Sequence, residues 1–81
     1  MNNHKRKREV VFKCIHLILA RHCLPDGTLE RQKLFSVMAE RIGKAVVENK
    51  TDLILQLKRE GIIIDESKSE FKIKQLPYPI E

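Results

Sequence analysis

The stretch from Phe35 to Ile64 places the strongest constraint on the fold. It begins with an amphipathic segment, FSVMAERIG, which ends at Gly43. A longer segment follows, KAVVENKTDLILQLKRE, and it ends at Gly61. Glycine just beyond a run of helix-forming residues is typical of a helix C-terminus. The β-branched run after Gly61 favours a strand. The stretch therefore predicts two consecutive helices and then a strand.

Two motifs in this stretch resemble the helix ends of winged helix-turn-helix domains. They are AERIG at residues 39–43 and LKREG at residues 57–61. The resemblance is to the superfamily as a whole, which contains both DNA-binding and protein-binding members. It implies a helix-dominated α+β fold, in which a three-helix core is followed by a two-stranded β-hairpin, the wing. It also implies that the third helix enters the major groove of DNA.

The N-terminal third of the chain predicts a first helix that is apolar around most of its circumference. The chain can become helical from about Lys5, and residues 10–23 are rich in aliphatic side chains. A helix of this kind must be buried on more than one side. Because the chain has only 81 residues and few other elements to cover this helix, we expect a homodimer through it as one outcome.

Turn residues divide the rest of the chain. Pro25 ends the first helix, Asp26 and Gly27 reverse the chain, and Thr28 is suited to cap a second helix over about 29–42. Gly43 is expected at the C′ position, where φ is positive. The third helix ends at residue 60 and begins somewhere within 44–51. Its fit to the superfamily pattern favours a late start after a longer turn.

The C-terminal part predicts a β-hairpin and a tail. Strands are expected at 62–65 and 70–74, because Phe71 and Ile73 alternate there with lysines. The expected organisation is a flexible basic arm at 1–8, a winged-helix domain at 9–75 and an extended tail at 76–81. Prolines exclude the tail from a strand ladder, and Leu76 or Tyr78 is expected to pack back on the domain.

The apolar pattern predicts a hydrophobic core drawn from all of these elements. Its expected members are Val11, Cys14, Ile15, Ile18, Leu34, Phe35, Met38, Ile42, Ile54, Leu57, Ile62, Ile64, Phe71 and Ile73. Leu55 is expected to face outward, because Ile54 and Leu57 face inward on the same helix.

Composition and spacing exclude several function classes. No Gly-rich phosphate loop, paired carboxylates or nucleophile–base arrangement is present, so an enzyme is not expected. Cys14, His16, His22 and Cys23 lack metal-ligand spacing, and neither a cofactor nor a small-molecule ligand is expected. Cys14 and Cys23 would lie on opposite sides of one helix, which indicates reduced thiols. No segment predicts a signal peptide or a membrane span. The expected location is therefore intracellular: cytoplasm or nucleoid, or nucleus in a eukaryote.

The net charge of +5 comes mainly from the start of the chain. Residues 5–8 contribute four positive charges, whereas residues 9–81 hold 12 basic and 11 acidic side chains. The resemblance implies double-stranded DNA as partner, with the third helix in the groove and the wing and arm on phosphates. The expected contact residues are Lys5, Arg6, Lys7, Arg8, Lys44, Asn49, Lys50, Thr51, Gln56, Lys68, Lys72 and Lys74.

Acidic side chains oppose this interpretation. Glu48 and Asp52 are four residues apart and would share a helix face, and residues 44–60 carry a net charge of only +1. Two function hypotheses therefore remain open. The first is a small transcriptional or replication-associated DNA-binding regulator. The alternative is a winged-helix protein–protein interaction module that associates through helix one and does not bind DNA.

Overall fold

The computed structural model describes the backbone of residues 3–76 and the side chains of residues 10–76. Its elements in chain order are helix α1 (Asn3–His22), strand β1 (Thr28–Glu30), helix α2 (Arg31–Arg41), a short 3-10 helix η1 (Lys44–Val47), helix α3 (Lys50–Arg59), strand β2 (Ile63–Glu66) and strand β3 (Glu70–Ile73). Within the described residues the fold is helix-dominated α+β, with three α-helices and a three-stranded antiparallel sheet.

Strand β3 lies in the middle of the sheet, and the strand order is β1-β3-β2. Strand β1 pairs with β3 so that Leu29 lies opposite Phe71. The predicted hairpin of β2 and β3 is present, with a β-bulge between Ile63 and Asp65. Strand β1 itself was not predicted.

The prediction that Thr28 caps the second helix is wrong. Thr28 instead begins β1 and pairs with Lys72, and α2 starts at Arg31 with Glu30 in the N-cap position. The strand is favoured because it gives the backbone of residues 28–30 hydrogen-bond partners on β3 and buries Leu29, which is 2% exposed. Asp26 keeps its predicted role in the reversal, since its carboxylate accepts a hydrogen bond from the Thr28 N–H at 2.9 Å.

Helix α1 includes most of the segment that was expected to be a flexible arm. The helix begins at Asn3, so the backbone of residues 3–8 is helical; the side chains of that segment lie outside the described residues. Residues 77–81 also lie outside the described residues, and the predicted packing of Tyr78 lies there with them. Leu76 is half-buried.

Gly61 turns the chain from α3 into β2. Its φ is +76°, a left-handed conformation that glycine adopts without steric cost. The Gly61 N–H donates to the carbonyl of Lys58, and the Ile62 N–H donates to the carbonyl of Leu57, both at 3.0 Å. These two bonds form a Schellman motif, and Leu57 and Ile62 are both buried beside it. The glycine-terminated end of α3 is as predicted, and so is the positive φ of Gly43.

The core is largely the predicted one, with four errors. Val11, Ile42 and Ile64 are 44%, 38% and 56% exposed, and Cys14 is exposed as well. Helix α1 buries the side that carries Ile15 and Leu19, whereas the predicted core residues of this helix were Val11, Cys14, Ile15 and Ile18. The remaining predicted residues are buried or packed partly buried against the core.

Six buried residues were missed by the sequence analysis: Leu19, Ala20, Leu29, Val37, Leu53 and Ile63. The bulge in β2 explains why Ile63 is buried in place of the predicted Ile64, because it turns Ile63 inward and Ile64 outward. Both cysteines are free thiols, as expected. Within residues 3–76, no helix has the length and apolar character needed to cross a membrane.

Candidate nucleic-acid interface

Helix α3 presents a continuous outer face opposite the core. Its buried side carries Leu53, Ile54 and Leu57. Because a helix turns by 3.6 residues, Thr51, Leu55 and Arg59 line up at four-residue spacing on the other side, and all three are exposed. The outward position of Leu55 was predicted. Arg59 was missed as a candidate contact residue, although its spacing from Leu55 would have identified it.

The residues predicted to read DNA bases are mostly occupied by contacts within the domain. Asn49 is the N-cap of α3, and its side-chain oxygen accepts a hydrogen bond from the Asp52 N–H at 3.0 Å. Gln56 donates from Nε2 to the Asp52 carboxylate at 2.8 Å. The ammonium of Lys50 lies 5.1 Å from the centre of the Phe35 ring. Only Thr51 of this predicted set lies on the outer face defined by Leu55 and Arg59.

Glu48 and Asp52 do not share a face of α3, although the sequence analysis predicted that they would. Glu48 closes η1, and α3 begins two residues later, at Lys50. The late start of the third helix is therefore confirmed, and η1 forms the longer turn before it. Asp52 lies in the first turn of α3, where a carboxylate interacts favourably with the helix dipole.

Among the predicted basic residues outside α3, the four whose side chains the structure describes are exposed and lie on different parts of the chain. Lys44 lies on η1, and Lys68 lies in the turn between β2 and β3. Lys72 is on the central strand near Asp26, whose pKa is lowered first by hydrogen bonding to Thr28 and also by the Lys72 charge. Lys74 follows β3, and its carbonyl oxygen accepts a hydrogen bond from His16 Nε2 of α1 at 2.6 Å.

A cluster of charged and aromatic side chains fastens the hairpin to the helices. Glu66 of β2 accepts a hydrogen bond from Arg31 of α2 at 2.8 Å and pairs with Lys58 of α3. The Arg31 guanidinium also lies 4.8 Å from the centre of the Phe71 ring, which meets Phe35 edge-on at 6.2 Å. Hydrogen bonding to Arg31, and then to Lys58, holds the pKa of Glu66 below its usual value. The cluster sets the position of the wing relative to α3.

The net charge of the chain lies on α1. Residues 3–22 contain six lysines and arginines and one glutamate, a net of +5. The rest of the chain holds ten basic and ten acidic side chains, a net of zero. Sequence analysis located most of this charge at residues 5–8 but treated the segment as a flexible arm, whereas its backbone from Asn3 onward is part of helix α1.

Neither a candidate metal centre among the described residues nor a related protein helps to define the site. Among the described residues, no group of three or more His, Cys, Asp or Glu side chains could hold a metal ion. No protein-family model, curated protein or solved structure matches the chain. Geometry and charge therefore leave three candidate contact surfaces: the basic helix α1, the outer face of α3, and the exposed lysines of the wing.

Proposed function

We propose that this chain is a winged-helix domain that binds double-stranded DNA, as a small transcriptional or replication-associated regulator. The observation that carries the proposal is the concentration of the whole net charge on α1, beside a body with no net charge. A cluster of lysine and arginine along one helix is an electrostatic feature of many nucleic-acid-binding proteins. The element order, two helices joined by a short turn and followed by a β-hairpin, supports the winged-helix assignment.

In the proposed complex, α1 and the wing contact phosphates and α3 lies in the major groove. Each phosphate contact by a lysine or arginine releases condensed counterions, so affinity falls steeply with salt. On the outer face of α3, Arg59 suits the O6 and N7 acceptors of guanine, and the methyl groups of Thr51 and Leu55 suit the thymine methyl. Because Asn49 and Gln56 are held by contacts with Asp52, few groups are left to read bases. We therefore expect weak sequence selectivity.

The test is binding of a fluorescently labelled random-sequence duplex, followed by anisotropy at several salt concentrations. The unmodified chain should bind and lose affinity steeply as salt rises. Arg59→Ala tests groove docking, and Arg41→Ala is its matched control, because Arg41 is an exposed arginine at the end of α2. Arg59→Ala should weaken binding of the random duplex, because it removes a positive charge from the docked face of α3, and Arg41→Ala should change it little.

A second variant isolates the contribution of α1. Replacing Lys5, Arg6, Lys7 and Arg8 together by glutamine removes four charges and should reduce the slope of log affinity against log salt by about 3–4. Full loss of binding in this variant, with no effect of Arg59→Ala, would mean that α1 alone attracts DNA and that α3 does not dock. Absence of binding even at low salt would refute the proposal and favour a protein-interaction module.

A further inference from the structure

The carboxylate of Glu66 holds two cations that belong to different helices. Its Oε2 atom accepts a hydrogen bond from Nη1 of Arg31 on α2 at 2.8 Å, and its Oε1 atom pairs with the ammonium of Lys58 on α3. Each carboxylate oxygen is thus matched with a cation from a different element. All three side chains are partly exposed, so a ligand from solution can reach the two cations.

The two cations meet the requirements of a phosphate group. An arginine guanidinium offers N–H donors in a planar fork that fits phosphate oxygens, and a lysine ammonium adds a point charge. The guanidinium of Arg31 is oriented by the ring of Phe71, whose centre lies 4.8 Å away. Because this arrangement is already formed in the free domain, little further ordering of Arg31 is needed when a ligand binds. A phosphate would therefore find the cations arranged as Glu66 holds them.

The pair lies beside the face of α3 that is proposed to dock on DNA. Lys58 is three residues after Leu55, so the two side chains are neighbours on the helix surface. The side chain of Lys58 extends from there toward β2, where it meets Glu66. A helix in the major groove has a sugar–phosphate backbone on each side. The backbone on the β2 side would pass close to Lys58.

We propose that a phosphate of the DNA backbone replaces Glu66 as the ligand of Arg31 and Lys58 when a duplex docks on α3. Glu66 is then an internal competitor, which neutralises the site in the free domain and must be displaced by the duplex. The free energy of its two ion pairs is subtracted from the affinity for DNA. This inference rests on the proposed DNA binding and adds two contact residues that sequence analysis did not identify.

Glu66→Gln removes the competitor and tests the exchange in the duplex-binding assay. Because two partly exposed ion pairs no longer have to be broken, the variant should bind the random-sequence duplex about fivefold more tightly than the unmodified chain. Asp65→Asn is the matched control, since it removes the same charge from the neighbouring exposed position of β2. It should raise the affinity less, because it changes only the net charge.

A double-mutant cycle assigns the gain in affinity to the cation pair. With Lys58→Gln in place, Glu66→Gln should gain less affinity, because the competitor and the phosphate have both lost the same lysine. With Lys68→Gln in place, the full gain should remain, since Lys68 is an exposed lysine in the turn of the hairpin and makes no contact with Glu66 among the ion pairs of the described residues. Equal gains in the two backgrounds would overturn the inference.

Inorganic phosphate provides a readout that needs no DNA. At equal ionic strength, replacing chloride by phosphate should raise the melting temperature of Glu66→Gln more than that of the unmodified chain or of Asp65→Asn. The reason is that only Glu66→Gln has both cations free of a carboxylate, and a ligand that binds the folded state stabilises it. Circular dichroism shows whether each variant is folded before the comparison is made.

The outcomes distinguish this inference from the proposed function. Duplex binding by the unmodified chain, with equal gains for Glu66→Gln and Asp65→Asn, would overturn the inference and leave the proposed function intact. A phosphate effect that is the same in all three proteins would do so as well. Failure of every protein to bind duplex at low salt would overturn both. Selective stabilisation of Glu66→Gln by phosphate would in that case identify a small phosphate, and not the DNA backbone, as the ligand.

Discussion

Replacing Glu66 by glutamine should loosen the attachment of the hairpin to the helices. Glu66 is the shared acceptor of Arg31 and Lys58, and so joins β2 to both α2 and α3. The side chains are partly exposed, 27% for Glu66, 36% for Arg31 and 44% for Lys58. Glutamine has nearly the same shape but cannot carry the charge, so Glu66→Gln removes both ion pairs with little change in packing.

The expected loss of stability follows from this exposure. Solvent screening limits a partly exposed ion pair to roughly 0.5 kcal/mol. Two such pairs give a loss of about 1 kcal/mol, which lowers the melting temperature of a domain of this size by about 4–8 °C. Because the pKa of Glu66 is lower in the folded chain than in the unfolded chain, the unfolded chain takes up the proton first. The stabilisation is therefore present at neutral pH and is lost as pH falls below about 4.

Urea denaturation followed by circular dichroism measures this difference at pH 7 and again at about pH 2.5. Glu70→Gln is the matched control, since Glu70 is an exposed carboxylate of the same hairpin. It lies opposite Glu30 across the β1–β3 pair, so its removal should be neutral or slightly stabilising. Glu66→Gln should be about 1 kcal/mol less stable than the unmodified chain at pH 7 and equal to it at low pH. A difference that persists at low pH would refute the ion-pair explanation and indicate a packing defect.

Two further substitutions test the local geometry, with urea denaturation as the measurement. Asn49→Ala removes the cap of α3 and should cost about 1 kcal/mol, whereas Asn49→Asp keeps the acceptor and should retain most of the stability; equal losses would contradict the capping role. Gly27→Ala should cost about 1–3 kcal/mol, because φ is +90° there and the new Cβ would lie 3.0 Å from the carbonyl oxygen of Ile73. An unchanged midpoint for Gly27→Ala would contradict the tight approach of this turn to β3.

The elements that sequence analysis predicted correctly are those specified by neighbouring residues. The end of α3 depends on Gly61 and the preceding LKRE run, and β3 shows its alternation directly in Phe71 and Ile73. Both signals are local, so they can be recognised without knowing the rest of the fold. The late start of α3 was predicted from the spacing of the superfamily pattern; the local signal for it, the N-cap residue Asn49, was not used.

The errors arose where distant contacts decide the structure. Thr28 suits an N-cap and also a strand, and its pairing with Lys72, far along the chain, selects the strand. Helix α1 is apolar on several sides, so its sequence does not show which side is buried. The bulge at Ile64 inverts the expected alternation within a run of three isoleucines.

The candidate interface was only partly predictable for the same reason. The chemistry of Asn49, Lys50 and Gln56 suits base recognition, but the sequence does not reveal that a cap, an aromatic ring and Asp52 engage these side chains. Conversely, the basic segment was recognised from composition alone. Its continuity with α1 depends on the helix beginning at Asn3.

The position of β3 in the sheet has a consequence for how the domain folds. This strand follows every other described element in the chain, and yet it pairs with both β1 and β2 and contributes the buried Phe71 and Ile73. The β1–β3 pairing closes a loop that contains α2, η1, α3 and β2. Closing so long a loop costs chain entropy before any contact is gained, which slows folding. The helices can therefore form early, but a complete core must await the arrival of the final strand.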